Sequence, residues 1–117
     1  DTHIELILHS PLLRAVQTAE LLVPLLAGET QVTAHLAAPP SELLLAELRG
    51  AAVAVVGHEP WLSELVAWLV TGDRTKGHVF ALKKGAVALL EGNPKPGDML
   101  LVAFLPPNVL RELGRTK

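Results

Sequence analysis

Arg14 and His58 are the residues of this chain whose types and settings point most directly to chemistry. Each follows an apolar run and opens a helical pattern. Arg14 lies within Ser10-Pro11-Leu12-Leu13-Arg14-Ala15-Val16-Gln17-Thr18-Ala19, and His58 lies within Gly57-His58-Glu59-Pro60. Strand ends that feed helix starts form the ligand edge of an open α/β sheet, where helix N-termini favour anions. A guanidinium and an imidazole at such an edge point to a phosphate. The arginine fork fits two phosphoryl oxygens at once, which a lysine cannot imitate, and a protonated imidazole stabilises charge on the transferring group. Taken alone, Arg14 reads as a solvated arginine on a polar helix face and His58 as a helix-start cap. No clear nucleophile stands beside them.

The elements that must position this pair follow from the apolar pattern. Ile4 to Leu8 reads as a short strand. Ser10 is an expected N-cap and Pro11 an expected first helical residue, with Leu12, Leu13, Val16, Ala19, Leu22 and Val23 as the apolar stripe and Pro24 as the stop. Gly28 is expected in a turn and Gln31 to His35 in a second, partly polar strand. Ser41 caps a predicted helix over Glu42 to Leu48, and Ala51 to Val56 has the small and β-branched run of a strand buried on both faces. A helix from Pro60 to about Val70 ends at Gly72. Beyond a polar loop over Asp73 to Gly77, Val79 to Leu82 reads as an edge segment. Gly85 to Leu90 and Met99 to Leu105 read as strands joined by a hairpin loop, and a short helix closes the chain near Leu113. This order predicts an α/β fold: a three-layer sandwich whose sheet is parallel at first and antiparallel near the C-terminus.

Composition narrows the function classes. The 117 residues form a single domain, half of them hydrophobic, enough to bury about two thirds of the unfolded surface. A net charge of -2 offers no general attraction to nucleic acid or anionic membrane, so neither is expected as a partner and any anion site must be local. The chain has no cysteine, which removes disulfides and thiolate chemistry and fits a cytoplasmic location. No apolar stretch approaches the ~18 residues of a membrane span. No two histidines have the helical spacing of a metal pair, and no cofactor is called for.

The two motifs, in this order and setting, resemble the histidine phosphatase superfamily, whose fold is that of the phosphoglycerate mutases. Lys83-Lys84-Gly85-Ala86 and Leu105-Pro106-Pro107 make the likeness strongest to its SixA-type phosphohistidine phosphatases. The resemblance runs from Ile4 to about Leu110 and implies that Arg14 and His58 bind the phosphoryl group, with His58 also catalytic. It further implies a nucleophilic histidine on an Arg-His-Gly strand, which this sequence does not contain; none of its histidines follows an arginine. Asp1 is not a residue that initiator-methionine removal exposes, so upstream sequence is expected, and the resemblance implies that it carries a central strand and a helix. Without them, two half-sheets with unpaired edges are expected, and the chain should not fold well alone.

The function expected from this resemblance is hydrolysis of phosphohistidine in a protein, or of a small phosphorylated compound, with the 117 residues inactive by themselves. The alternatives are a non-catalytic phosphate-binding module and a phosphoglycerate mutase-like enzyme. Glu59 is the nearest acid by sequence, but it stands where a first helical turn carries an acid for the dipole. His9 is expected at a strand end near the rim, Gln17 and Thr18 as backbone-bonding residues, Lys83 and Lys84 as solvated, and Trp61 and Trp68 as packing.

Overall fold

The computed structural model describes residues 4–49, 51–80, 86–106, 108–110 and 112. Five strands form one mixed sheet in the order β2-β1-β3-β4-β5, with β1 Ile4–His9, β2 Leu26–Val32, β3 Ala52–Val56, β4 Val87–Gly92 and β5 Met99–Leu105. β1 pairs in parallel with both β2 and β3, whereas β4 runs antiparallel to β3 and to β5. One strand therefore opposes the other four. The helices are α1 Leu13–Leu22, α2 Glu42–Glu47, α3 Trp61–Thr71 and α4 Gly77–Phe80. None of the described helices is long and apolar enough to cross a membrane.

Alternation along the strands sorts the core into two clusters. Leu6 and Leu8 of β1, Val53 and Val55 of β3, and Ala88 and Leu90 of β4 pack with Leu62, Leu65, Val66 and Leu69 of α3 and with Leu44 of α2. Ile7, Ala54, Val56, Val87 and Leu89 take the other parity and pack with Ala15, Ala19 and Leu22 of α1. Each fully buried leucine contributes about 1.5–3 kcal/mol relative to exposure, so both faces of the sheet add to its stability. The near-continuous apolar run of β3 is the consequence of cover on both sides.

Several boundaries differ from the sequence expectation. α1 begins later, because Leu12 remains extended at φ -69° and ψ 145° and is the residue that precedes the helix. Ser10 is not its cap. The apolar stripe is correspondingly narrower: Ala15, Ala19 and Leu22 are buried, while Leu12 and Leu13 are 52% and 69% exposed. β2 starts earlier than Gln31, and Gly28 lies inside it rather than in a turn. Ala34 and His35, expected at the end of this strand, lie instead in a 3-10 turn over Ala34–Ala37 whose entry is capped by Thr33, with Oγ1 accepting from His35 N–H at 3.1 Å. Val79 is helical and not an edge segment; Leu82 and Gly85 lie outside the described residues.

Other expectations match. Ser41 Oγ accepts from Leu44 N–H to cap α2, and Gly72 ends α3 in the left-handed region at φ 83°. Pro106 O accepts from Val109 and Leu110 N–H, which begins a final helical turn.

The split sheet does not occur. β3 and β4 are hydrogen-bonded neighbours from Ala52↔Glu91 to Val56↔Val87, so the backbone groups expected to be orphaned satisfy one another. The β1–β2 ladder carries a different irregularity. Its register steps from Ile4↔Leu26 to Leu6↔Glu29, which places an extra residue on β2 opposite Glu5. There the backbones approach so closely that a Cβ on Gly28 would lie 1.8 Å from Glu5 O. Gly28→Ala must displace backbone rather than a side chain, and we expect it to lower stability by about 3 kcal/mol in urea unfolding. An unchanged midpoint and slope would show that the strands are not this close.

Candidate anion-binding site

The parallel register between β1 and β3 builds the site. His9 is paired with Val56, and the ladder runs one step further, with Ser10 N–H donating to Val56 O at 3.1 Å. The two strands therefore end side by side. The chain after β1 turns into α1 and presents Arg14 in its first turn, while the chain after β3 presents Gly57 and His58 ahead of α3. Arg14, Ala15, Thr18, Val56, Gly57, His58 and Glu59 line one cleft of about 280 Å³. Both residues singled out from the sequence are thus brought together.

The environment of the cleft is set by how the two helices begin. α1 has no side-chain cap and no acidic residue in its first turn, which leaves the positive end of its dipole uncompensated by the protein. α3 is closed. Glu59 Oε2 accepts from Ser63 N–H at 3.0 Å, and its other oxygen accepts from the Ser63 hydroxyl. His58 O accepts from Leu62 N–H at 2.7 Å, which ties His58 directly to the same turn. The expectation that Glu59 serves the helix is met in this geometry, and both of its oxygens are engaged.

His58 is held from behind. Its Nε2 lies 2.6 Å from Ser10 Oγ, and Ser10 is completely buried. Ser10 Oγ also accepts from Leu12 N–H at 3.3 Å, so one hydroxyl links the end of β1, the approach to α1 and the imidazole after β3. Sequence reasoning assigned Ser10 to helix capping and missed this link; residue type carried no signal of a partner so distant in sequence.

The remaining expectations fall in different places. His9 is buried but does not line the cleft, and its Nδ1–H donates to Ser10 O at 2.8 Å, because a carbonyl can only accept. Thr18 lines the cleft, and Gln17 is exposed. Trp68 is buried in the core, with the Arg74 guanidinium 4.1 Å above its ring, and Trp61 is half-buried. Lys83 and Lys84 lie outside the described residues.

A second cleft of about 660 Å³ shares Glu59 and is otherwise lined by Pro60, Ser63, Glu64, Arg74, Thr75, Gly77 and His78. Its wall is a 3-10 turn over Arg74–Lys76, capped by Asp73. Arg74 is anchored there by donation to Pro40 O at 2.8 Å and by the Trp68 face. Sequence reasoning did not single out Arg74.

A scan against protein families finds no match for this chain, and a search of curated proteins finds none.

Two measurements check this geometry. Glu59→Ala removes the carboxylate that closes α3 and should cost about 1 kcal/mol in denaturant unfolding, the scale of a lost N-terminal cap; an undiminished stability would mean that the two bonds to Ser63 contribute nothing. The second is a titration. Hydrogen bonds from the side chain and backbone of Thr75 hold the Asp73 carboxyl below its usual 3.8. A lowered folded value favours the ionised form, so this group's contribution to stability is complete above the unfolded value and fades as pH falls through the folded one. Carboxyl carbon NMR should give Asp73 a midpoint below 3.8, and one at or above it would contradict the cap.

Proposed function

We propose that the cleft between α1 and the end of β3 binds a phosphoryl group, and that the chain serves a phosphatase of the SixA type. Its substrate would be phosphohistidine in a protein or a small phosphorylated compound. The observation that carries this reading is the meeting of Arg14 and His58 in one cleft beside the uncapped, acid-free start of α1. A dianion there can be met by the guanidinium fork, an imidazole N–H and the first-turn amides, while the one carboxylate on the cleft, Glu59, is engaged by Ser63. The three-layer, phosphoglycerate mutase-like arrangement belongs to the same proposal. It is supported by core clusters of both strand parities and by the strand–helix order that ends in two antiparallel pairings.

In this reading a histidine outside these 117 residues attacks phosphorus while the bond to the leaving group breaks, and water then hydrolyses the phosphohistidine so formed. Arg14 holds two of the non-bridging oxygens, and His58 stabilises the charge that develops on them. Glu59 is poorly suited to protonate the leaving group, because Ser63 occupies both of its oxygens. A phosphohistidine substrate needs no such acid when its other ring nitrogen carries a proton, since it departs as neutral imidazole.

One observation favours a second reading, a phosphate-binding module without catalysis. β3 and β4 pair directly, so the sheet holds no gap for a further central strand, and a binder requires none.

Calorimetric titration with inorganic phosphate should show binding that Arg14→Ala weakens by about tenfold or more, the scale of a lost charge-assisted contact. No binding by the parent chain, or equal binding by the variant, would refute the site. Turnover separates the two functions. The 117 residues alone should not hydrolyse a phosphomonoester, whereas a chain extended upstream through an Arg-His-Gly segment should. Turnover by the 117 residues that survives His58→Ala would overturn the phosphatase assignment.

A further inference from the structure

We infer that Ser10 is a positioning residue for the anion site: its buried hydroxyl fixes His58 in the neutral tautomer that carries the proton on Nδ1, so that this imidazole donates to the anion without first being charged. The inference rests on the reading of the cleft as a phosphoryl site and adds to it the atom through which His58 acts.

The tautomer follows from a count of hydrogens. A serine hydroxyl offers one donor and two acceptor lone pairs. One lone pair of Ser10 Oγ accepts from Leu12 N–H at 3.3 Å, and His58 Nε2 lies at 2.6 Å. Among the described residues the hydroxyl has no third partner, and Ser10 is 0% exposed, so water does not supply one.

Two arrangements remain. If His58 carried its proton on Nε2, Ser10 Oγ would accept twice, and its own hydrogen would be buried without an acceptor. If Nε2 bears the lone pair, the hydroxyl donates to it and every hydrogen is placed. The second arrangement puts the proton on Nδ1.

The consequence for the ligand follows. With Nε2 directed at a buried serine, Nδ1 is the ring nitrogen left on a side chain that lines the cleft, and it makes no hydrogen bond among the described residues. In the Nδ1–H form it presents a donor to an anion; in the other neutral form it would present a lone pair to that anion and repel it. Arg14 and the neutral imidazole then act as matched donors, while Glu59, the carboxylate on the same cleft, is turned to Ser63. Because Ser10 N–H is bonded to Val56 O, the hydroxyl is held by the β1–β3 ladder itself.

The decisive measurement uses the unmodified chain. Long-range nitrogen–proton NMR correlation at pH 8, where an ordinary imidazole is neutral, should show His58 with a protonated Nδ1 and an unprotonated Nε2. The opposite pattern, or averaged nitrogen shifts, would overturn the inference, and this readout does not depend on any variant folding. Ser10→Ala should then shift His58 toward the Nε2–H form and weaken inorganic phosphate about tenfold at that pH, with Ser10→Thr restoring both. Phosphate affinity that falls in Ser10→Ala without a change of tautomer would assign Ser10 a merely structural role. Should the parent chain bind no phosphate, the phosphoryl reading fails while the nitrogen pattern still tests the Ser10–His58 bond. Should it bind phosphate with Nε2 protonated, that reading survives and this inference does not.

Discussion

The parallel pairing of β1 with β3 is the constraint on which the rest of the molecule depends. It aligns His9 with Val56 and lets the ladder continue to Ser10, so two segments far apart in sequence emerge at the same height from the same edge of the sheet. A slip of one residue would reverse the faces of Leu6, Ile7 and Leu8 and exchange the two core clusters, which is why packing enforces the register so strongly. The site takes its order from the core. Arg14 and His58 lie above a strand pair whose alignment is set by buried aliphatic side chains rather than by any contact between the two functional groups.

The two helices that begin at this edge are treated differently by their own sequences. α3 receives the carboxylate of Glu59, and its first turn is thereby satisfied within the chain. α1 receives nothing comparable: Leu12 cannot cap it, and the hydroxyl of Ser10 is spent on Leu12 N–H and on His58. A helix start with open amides and no acid in its first turn is costly to stability by the scale of a missing cap, about 1 kcal/mol. That deficit sits where an anion would relieve it, which unites local energetics with the proposed function.

Legibility in the sequence tracked how local the cause was. Ser41 was readable as a cap and Gly72 as a helix stop, because each acts on residues within one turn. The buried run of β3 and the strand at Met99–Leu105 were readable from composition alone. β2 was not, since Ala27-Gly28-Glu29-Thr30 has no apolar alternation and becomes a strand by pairing along β1. Leu12 and Leu13 looked like part of an apolar stripe, but Leu12, whose N–H donates to Ser10 Oγ, stays extended, the helix begins only at Leu13, and both leucines are exposed. For the site, residue type and motif order singled out Arg14 and His58, whereas the buried partner of His58 had no sequence signature.

Taken by itself, the sequence determined the α/β class, most of the strands and helices, and the arginine and histidine that follow two strand ends, because periodicity and capping are set by neighbours within a few residues. Tertiary structure alone decided that β3 and β4 join into an unbroken sheet and that Ser10 stands behind His58. It also decided which helix start is left open. Each of these turns on a hydrogen-bonding group whose partner lies in another segment of the chain. Which partner it takes depends on strand register and on the exclusion of water from the core, and neither exists until the sheet has formed.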